Sequence, residues 1–293
     1  VRKDWMNLNG EWDYKTDRGM SGKDRNYMSG EGFDEKIIVP FCRESELSLI
    51  GDKDFCGCVW YKKEVEVPAA WVSSDKKIIL HIGACDFITD VWVNSSYIGS
   101  HHGGYVSFSF DITEAAKDNK LLIVIRAEDD TRSPRQASGK QSDRYYSYGC
   151  SYTRTTGIWQ TVWLECVPKV YITKTKYYPD IDNAVLNAHV YVNGPDDTEV
   201  SATAEYEGKN VGAASARVRN GVAKLNISLS ELHLWEVGNG RLYDLNIKVR
   251  DDEVKSYFGM REVECRNGIM YLNRKPVFQR LVLDQGFYPD GIY

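Results

Sequence analysis

Short stretches in which apolar and polar residues alternate recur along almost the whole of this sequence, and they constrain its fold most. Residues 106–110 have the sequence VSFSF, and Leu121, Ile123 and Ile125 also alternate. Residues 157–165, GIWQTVWLE, predict a further strand. A period of two is that of a β-strand, whose successive side chains point to opposite faces. Turn-forming residues such as Asn94-Ser95 separate the stretches, and helical periodicity is nearly absent. The sequence therefore predicts an all-β fold of the sandwich or barrel type.

The alternating stretches fall into two sets, with a boundary near Pro168. In the second set, one face collects the apolar residues of four stretches between residues 186 and 249. Polar turns such as residues 194–197 separate them. This spacing is typical of an immunoglobulin-like sandwich, although the Cys–Trp–Cys spacing of antibody domains is absent.

The pattern changes again after Cys265. Residues 269–278 predict a hairpin, and the apolar run Leu281-Val282-Leu283 follows it. A continuous apolar run that ends in polar residues is typical of a strand in a parallel sheet buried on both faces. We therefore expect the start of a further, different structure at this end of the sequence.

Charge and cysteine content exclude several classes of protein. The 293 residues carry a formal net charge of −5, so no basic field recruits nucleic acid or an anionic membrane. No apolar stretch reaches the roughly 18 residues that a membrane-spanning helix needs. Seven scattered cysteines predict free thiols rather than a disulfide framework. Reduced cysteines favour the cytoplasm, and a removed signal peptide would leave the periplasm open.

The motifs of several common chemistries are missing. The sequence contains no phosphate-binding glycine loop, no His-Glu-x-x-His and no Gly-x-Ser-x-Gly. The adjacent His101 and His102 would point apart on a strand, which argues against a shared metal ion. The sequence therefore predicts no metal site and no cofactor.

Residues 129–148, DDTRSPRQASGKQSDRYYSY, form a polar loop of unusual length. Its Arg and Tyr side chains could hold a polyhydroxylated ligand by forked hydrogen bonds and ring stacking. Arg135, Lys140 and Gln141 are the candidate contacts. A solvated surface loop or a domain contact would have the same composition, so both interpretations stay open.

Several strings closely resemble glycoside hydrolase family 2, the family of bacterial β-galactosidases, β-glucuronidases and β-mannosidases. They are HHGGYVSFSFDIT (101–113), SYTRTTGIWQTVWLE (151–165), YFGMREVE (257–264) and LDQGFYPDGIY (283–293). The resemblance extends over the whole chain in the family's order. It implies a jelly-roll sugar-binding domain over residues 1–168, an immunoglobulin-like sandwich over 169–265 and the start of a (β/α)₈ catalytic barrel over 266–293.

The resemblance also implies a reaction. Members of the family are retaining glycosidases that use one Glu as acid/base and another as nucleophile. In the family both lie on later barrel strands, so we expect no catalytic residue in this chain. It is accordingly expected to be an inactive N-terminal portion of a glycosidase, with β-galactosidase favoured. The implied partner is a β-glycoside or oligosaccharide bound by the complete protein, which could be a homo-oligomer.

Two regions are expected to contact that substrate. Asp284 and Gln285 would leave the first barrel strand at its carboxyl end, where barrel enzymes place their sites. In well-known members an Asp lies six positions before the Gly of the TGIW motif, whereas here that position is Ser151, followed by Tyr152. This departure leaves the sugar open. Residues 280–293 are expected to be mobile, or held by a sandwich or a neighbouring chain.

Two functions of other classes compete with this one. The chain could be a free-standing pair of carbohydrate-binding modules without catalysis, or a structural scaffold. The apolar run at residues 281–283 argues against both, because a binding module gains nothing from an unpaired strand edge.

Overall fold

The computed structural model describes residues 2–73 and 75–293, and β-strands dominate its regular structure. Within those residues, helical structure is limited to the single 3₁₀ turns Tyr27–Ser29, Glu46–Ser48 and Ala69–Trp71. The all-β prediction is confirmed. The chain forms two compact units, one of Asp4–Cys166 with Asp284–Tyr293, the other of Val167–Leu283 with the first residues of the chain.

The first unit is a two-sheet sandwich. Its strands are β1 (Trp5–Asn7), β2 (Gly10–Thr16), β3 (Glu35–Val39), β4 (Cys58–Glu66), β5 (Lys76–Ile82), β6 (Cys85–Asp86), β7 (Ile88–Val93), β8 (Ser96–His102), β9 (Phe108–Asp111), β10 (Lys120–Glu128), β11 (Gly157–Ile158) and β12 (Val162–Pro168). One sheet has the order β1-β12-β5-β9, and the other has the order β3-β2-β4-β10-β7-β8. Side chains from both sheets fill one buried apolar core, for example Leu80 and Leu164 from one and Val91 and Ile125 from the other.

The central strand β10 is apolar on both faces, and each face packs into a different apolar cluster. Leu121, Ile123 and Ile125 point into the sandwich core, as the alternation predicts. Val124 points to the opposite face, where it joins a second cluster with Trp60, Trp92, Tyr27 and Cys58. The segment that contains Tyr27 therefore covers the outer face of the six-stranded sheet.

One turn prediction and one strand prediction can be compared with the structure. Asn94 and Ser95 join β7 to β8 with φ of 49° and 64°, the conformation of a tight two-residue hairpin, so this prediction is confirmed. The predicted single strand over residues 157–165 is wrong. The chain divides it into β11, which pairs with β6, and β12, which pairs with β1.

The second unit is also a two-sheet antiparallel sandwich. Its strands are β13 (Tyr171–Asp180), β14 (Val185–Asn193), β15 (Glu199–Tyr206), β16 (Lys209–Arg217), β17 (Val222–Ser228), β18 (Tyr243–Val249) and β19 (Asp252–Phe258). The sheets have the orders β13-β14-β17 and β16-β15-β18-β19. Alternate residues of each strand form the core, as the sequence predicts. Arg2 forms an ion pair of 2.8 Å with Asp252, whose carboxylate also accepts the backbone N–H of Ile172 at 2.7 Å.

Short strands follow in the second unit: β20 (Val263–Arg266), β21 (Ile269–Leu272) and β22 (Lys275–Pro276). Strands β21 and β22 pair as the hairpin predicted within residues 269–278. The apolar run after them is not a strand here, because Leu281, Val282 and Leu283 are 78%, 92% and 87% exposed. A strand buried on both faces needs paired neighbours and apolar layers, and none of the described residues supplies them.

The cysteines are free thiols, as predicted. Cys150 and Cys265 are exposed, and the other five are buried. Across residues 2–73 and 75–293, no helix combines the length and the apolar composition that crossing a membrane requires.

Gly157, the first residue of β11, provides a test of this packing. Its φ is +80°, and a Cβ there would overlap the hydroxyl of Tyr61, which accepts the N–H of Ile158 at 3.2 Å. Gly149 is the matched control, because it has φ of +51° and no atom within 4 Å of a Cβ. Both Ala variants carry the left-handed backbone penalty of about 1–2 kcal/mol.

We expect Gly157→Ala to lower the free energy of unfolding by about 1–3 kcal/mol more than Gly149→Ala does, because only the former also overpacks the interior. Urea unfolding of both variants measures this difference. Equal losses would show that the Tyr61 contact does not restrict residue 157.

Candidate functional site

The candidate site lies on the first unit, in the long connection between β10 and β11. The segment Asp284–Tyr293 packs on the same unit. The ring of Phe287 stacks on that of Tyr152, with centroids 4.4 Å apart. Tyr293 packs edge-on against Trp159 at 4.2 Å, and Ser45 donates from Oγ to the carbonyl oxygen of Asp290 at 2.6 Å. Of the alternatives predicted for the end of the sequence, residues 284–293 are therefore held by the sandwich.

The structure brings four of the residues predicted from sequence together. Lys140 donates from Nζ to Oε1 of Gln285. The backbone N–H of Tyr152 donates to the carbonyl oxygen of Lys140 at 2.8 Å. Gln141 and Tyr152 form an isolated β-bridge within the loop. The hydrogen bond from Lys140 to Gln285 links the loop to the segment 284–293.

The other predicted residues are placed differently. Ser151 lies beside Tyr152 in a tight turn, where its N–H donates to the carbonyl oxygen of Tyr148 at 2.8 Å. Asp284 is exposed and accepts the N–H of Gly286 at 2.8 Å, and no strand precedes it. Arg135 is exposed on a separate turn, where its N–H donates to Oγ of Ser133.

Gln141 has a positioning role that its sequence context did not reveal. It is 5% exposed and donates from Nε2 to Asp86 at 2.6 Å and to the Tyr105 hydroxyl at 3.0 Å. Its Oε1 accepts the N–H of Thr155 at 2.8 Å. Gln141 therefore fixes the loop from beneath, and its amide is not presented to solvent.

Three buried carboxyl groups surround Thr155 and Thr156, which precede β11. The N–H of Thr156 donates to Glu44 at 3.0 Å, and its hydroxyl donates to Asp129 at 3.3 Å. The hydroxyl of Thr155 donates to Asp86 at 3.4 Å. We call Glu44, Asp86 and Asp129 the acid cluster. The sequence carries little signal for it, because Asp129 stands between Glu128 and Asp130 and Glu44 follows Arg43. Only Asp86 lies between two apolar residues, where a charge is costly to bury.

The electrostatics of the acid cluster favour protonation. Burial raises the pKa of Asp86 to about 6, despite the hydrogen bonds from Gln141 and Thr155, and the charge of Glu44 adds to the rise. Burial and then the charge of Asp86 raise the pKa of Asp129 well above its usual value. Burial also raises the pKa of Glu44, against the hydrogen bond from Thr156 and the charge of Arg43.

Two buried guanidinium groups lie near the acid cluster. Arg43 is fully buried, donates from Nη1 to the carbonyl oxygen of Asp54 at 2.6 Å and pairs with Asp52. Arg154 is 1% exposed and donates from Nη1 to the carbonyl oxygen of Arg144 at 3.0 Å, and burial lowers its pKa. Cationic and acidic groups thus offset each other inside the fold.

The acid cluster holds the chain. Its oxygens accept hydrogen bonds from Thr155, Thr156, Gln136 and Gln141. In residues 2–73 and 75–293, no group of three or more His, Cys, Asp or Glu side chains is arranged to hold a metal ion. What the arrangement can do is fix the loop that carries Lys140 and Tyr152.

These features define a class of protein: two successive β-sandwiches, the first of which presents a clustered polar and aromatic loop. Residues 50–168 match the profile of the glycosyl hydrolases family 2 sugar binding domain, and residues 170–261 match that of glycosyl hydrolases family 2. The chain belongs to glycoside hydrolase family 2.

Named relatives include both β-glucuronidases and β-galactosidases. A β-glucuronidase of Streptococcus agalactiae is 25% identical over 84% of this chain and 42% of its own length. A β-galactosidase of Thermoanaerobacter pseudethanolicus is 22% identical over 94% of this chain and 38% of its own length.

Solved structures share the fold. The apo β-glucuronidase of Ruminococcus gnavus superposes with a TM-score of 0.78 at 23% identity, covering 94% of this chain and 48% of that one. The chain spans less than half the length of the curated relatives that it matches.

The acid cluster predicts an unusual dependence of stability on pH. Because the folded pKa of Asp86 is raised from 3.8 to about 6, the folded state binds more protons than the unfolded state between those values. Stability from this group is therefore full at low pH and is lost as the pH rises through about 6. The shift corresponds to up to about 3 kcal/mol.

Urea unfolding of the chain and of Asp86→Asn between pH 5 and 8 tests this. Asn keeps an oxygen that can accept from Gln141 but cannot ionise, so the variant should lose less stability than the parent as the pH rises. The comparison also cancels the opposite contribution of His101, whose pKa is lowered by burial. Parallel pH profiles would contradict the assignment.

Proposed function

We propose that the chain is the substrate-positioning N-terminal portion of a retaining glycosidase that removes terminal β-linked sugars. Membership of the family supports this proposal. The main structural support is the contact between two parts of the chain, in which Lys140 hydrogen-bonds to Gln285 and Tyr152 stacks on Phe287. These side chains combine hydrogen-bonding groups with stacked rings, the chemistry that sugar hydroxyls and pyranose faces require. Sequence analysis favours β-galactosides, and the names of the relatives include β-glucuronidase as well.

In this proposal the two catalytic Glu residues belong to a part of the protein beyond residue 293. The three-part division into residues 1–168, 169–265 and 266–293 is proposed with it. Leu281–Leu283 would then become a barrel strand when the barrel covers it. The exposure of these three side chains supports this, because burying them would remove a large apolar area from water.

We expect the 293-residue chain alone to hydrolyse neither nitrophenyl β-galactoside nor nitrophenyl β-glucuronide, since the proposed carboxyl pair is missing. Absorbance of released nitrophenol measures this, with the complete protein as the positive control. Turnover by the chain alone would place catalytic groups within it and overturn the proposal.

In the complete protein, Lys140→Ala should raise KM on the preferred glycoside about 2- to 10-fold, the effect of one hydrogen bond, with a smaller change in kcat. The variant removes the link to Gln285 without emptying a core position, since Lys140 is exposed. Lys174→Ala, at an exposed position of the second unit, is the matched control and should leave KM unchanged. Equal KM values for the parent protein and both variants would show that Lys140 does not contribute to the substrate site.

A further inference from the structure

Four residues of the first unit form a compact group of rings and guanidinium groups. The guanidinium carbon of Arg132 lies 3.5 Å from the centroid of the Phe55 ring, and that of Arg154 lies 3.8 Å from it. Tyr145 packs edge-on against Phe55 at 5.1 Å and lies 5.7 Å from the Arg132 guanidinium. We call Phe55, Arg132, Tyr145 and Arg154 the arginine–aromatic site.

A cavity opens beside this site. It has a volume of about 260 Å³, and Phe55, Arg132, Arg154, Thr131 and Thr156 are among its lining residues. Tyr145, which is 61% exposed, stands next to Phe55 and offers its ring to solvent. A concave space lined by both apolar and charged groups, beside an exposed ring, is suited to a small cyclic ligand.

The positive charges of the site lack carboxylate partners. Arg132 donates from Nε to the carbonyl oxygen of Asp143 at 3.1 Å, which leaves its terminal nitrogens for other acceptors. Within residues 2–73 and 75–293, neither Arg132 nor Arg154 has a carboxylate oxygen within 4 Å, whereas Arg126 pairs with Glu128 at 2.6 Å. Arg154 lies in the field of the buried acids Glu44 and Asp129. The exposed guanidinium of Arg132 has no such partner among the described residues, and its terminal nitrogens favour an anionic ligand.

The acids that line the cavity do not supply that counter-charge. Glu128 is already paired with Arg126. Asp130 accepts the backbone N–H of Arg132 within its own turn at 3.3 Å. Asp129 is 5% exposed and accepts hydrogen bonds from Gln136 and Thr156. None of these three acids thus forms an ion pair with the guanidinium group of Arg132 or Arg154.

We propose that the arginine–aromatic site binds a carboxylated sugar, a uronic acid residue of an anionic glycan. The terminal nitrogens of Arg132 hold the carboxylate in a forked pair, and Tyr145 covers a face of the sugar ring. Arg154 packs on the Phe55 ring that Arg132 also contacts. The choice of a sugar rather than another anion rests on the proposed function, and the charge preference rests on the site itself.

Calorimetry on the 293-residue chain tests the inference with three probes: a β-linked tetramer of glucuronic acid, the corresponding tetramer of glucose, and inorganic phosphate. We expect the uronate tetramer to bind, and the other two to bind at least about tenfold more weakly, the difference expected for a lost charge-assisted pair or a lost ring contact. Adding salt should weaken the uronate complex, because an exposed ion pair is screened.

Arg132→Gln and Tyr145→Ala should each lower the affinity for the uronate tetramer by about tenfold. Arg25→Gln is the matched control, because it removes the same charge from an exposed position of the first unit that does not line the cavity. It should leave the affinity within about twofold, as expected for a distant exposed charge. Unchanged thermal unfolding of each variant shows that binding, and not folding, has changed.

Several results would overturn the inference. Equal affinity for the uronate and glucose tetramers would show that the charge plays no role in binding. Phosphate binding as tightly as the uronate tetramer would show that the sugar ring plays none. A loss in Arg25→Gln equal to that in Arg132→Gln would indicate a diffuse attraction without a site. Absence of any uronate binding would end the inference, whereas hydrolysis of glycosides by the complete protein would still support the proposed function.

Discussion

The hydrogen bonds that Thr155 and Thr156 make with buried side chains are the constraint on which the candidate site depends. These residues precede β11, and no flanking strand pairs with them. Glu44, Asp129, Asp86 and Gln141 accept their N–H and hydroxyl groups instead. Buried backbone groups must be satisfied, so side chains here replace the missing ladder.

This replacement has an electrostatic cost that the surroundings reduce. Carboxyl groups that share a buried space repel each other when ionised, so their pKa values rise and protonation relieves the repulsion. Arg43 and Arg154 offset the remaining negative charge from nearby buried positions. The result is a loop anchored from within, with exposed side chains on its outer side. Arg132 and Tyr145 lie on this outer side, as do Lys140 and the half-buried ring of Tyr152.

Particular residues show how far sequence reasoning extends. The alternation of Leu121, Ile123 and Ile125 correctly predicted the core face of β10, because strand geometry assigns successive residues to opposite faces. The same logic missed why Val124 is apolar, since its cover is a segment about 90 residues earlier in the chain. The single strand expected at residues 157–165 failed because residues 159–161 leave the strand conformation, so that β11 pairs with β6 and β12 with β1.

The sequence by itself determined the all-β class, the two alternating sets, the free cysteines and the resemblance to glycoside hydrolase family 2, because periodicity and local motifs are properties of neighbouring residues. Only the tertiary structure decided that Glu44, Asp86 and Asp129 meet around Thr155 and Thr156. It also decided that the guanidinium groups of Arg132 and Arg154 both pack on the ring of Phe55. These contacts join residues far apart in the chain. Their meeting depends on how the sheets and loops pack, which no local pattern encodes.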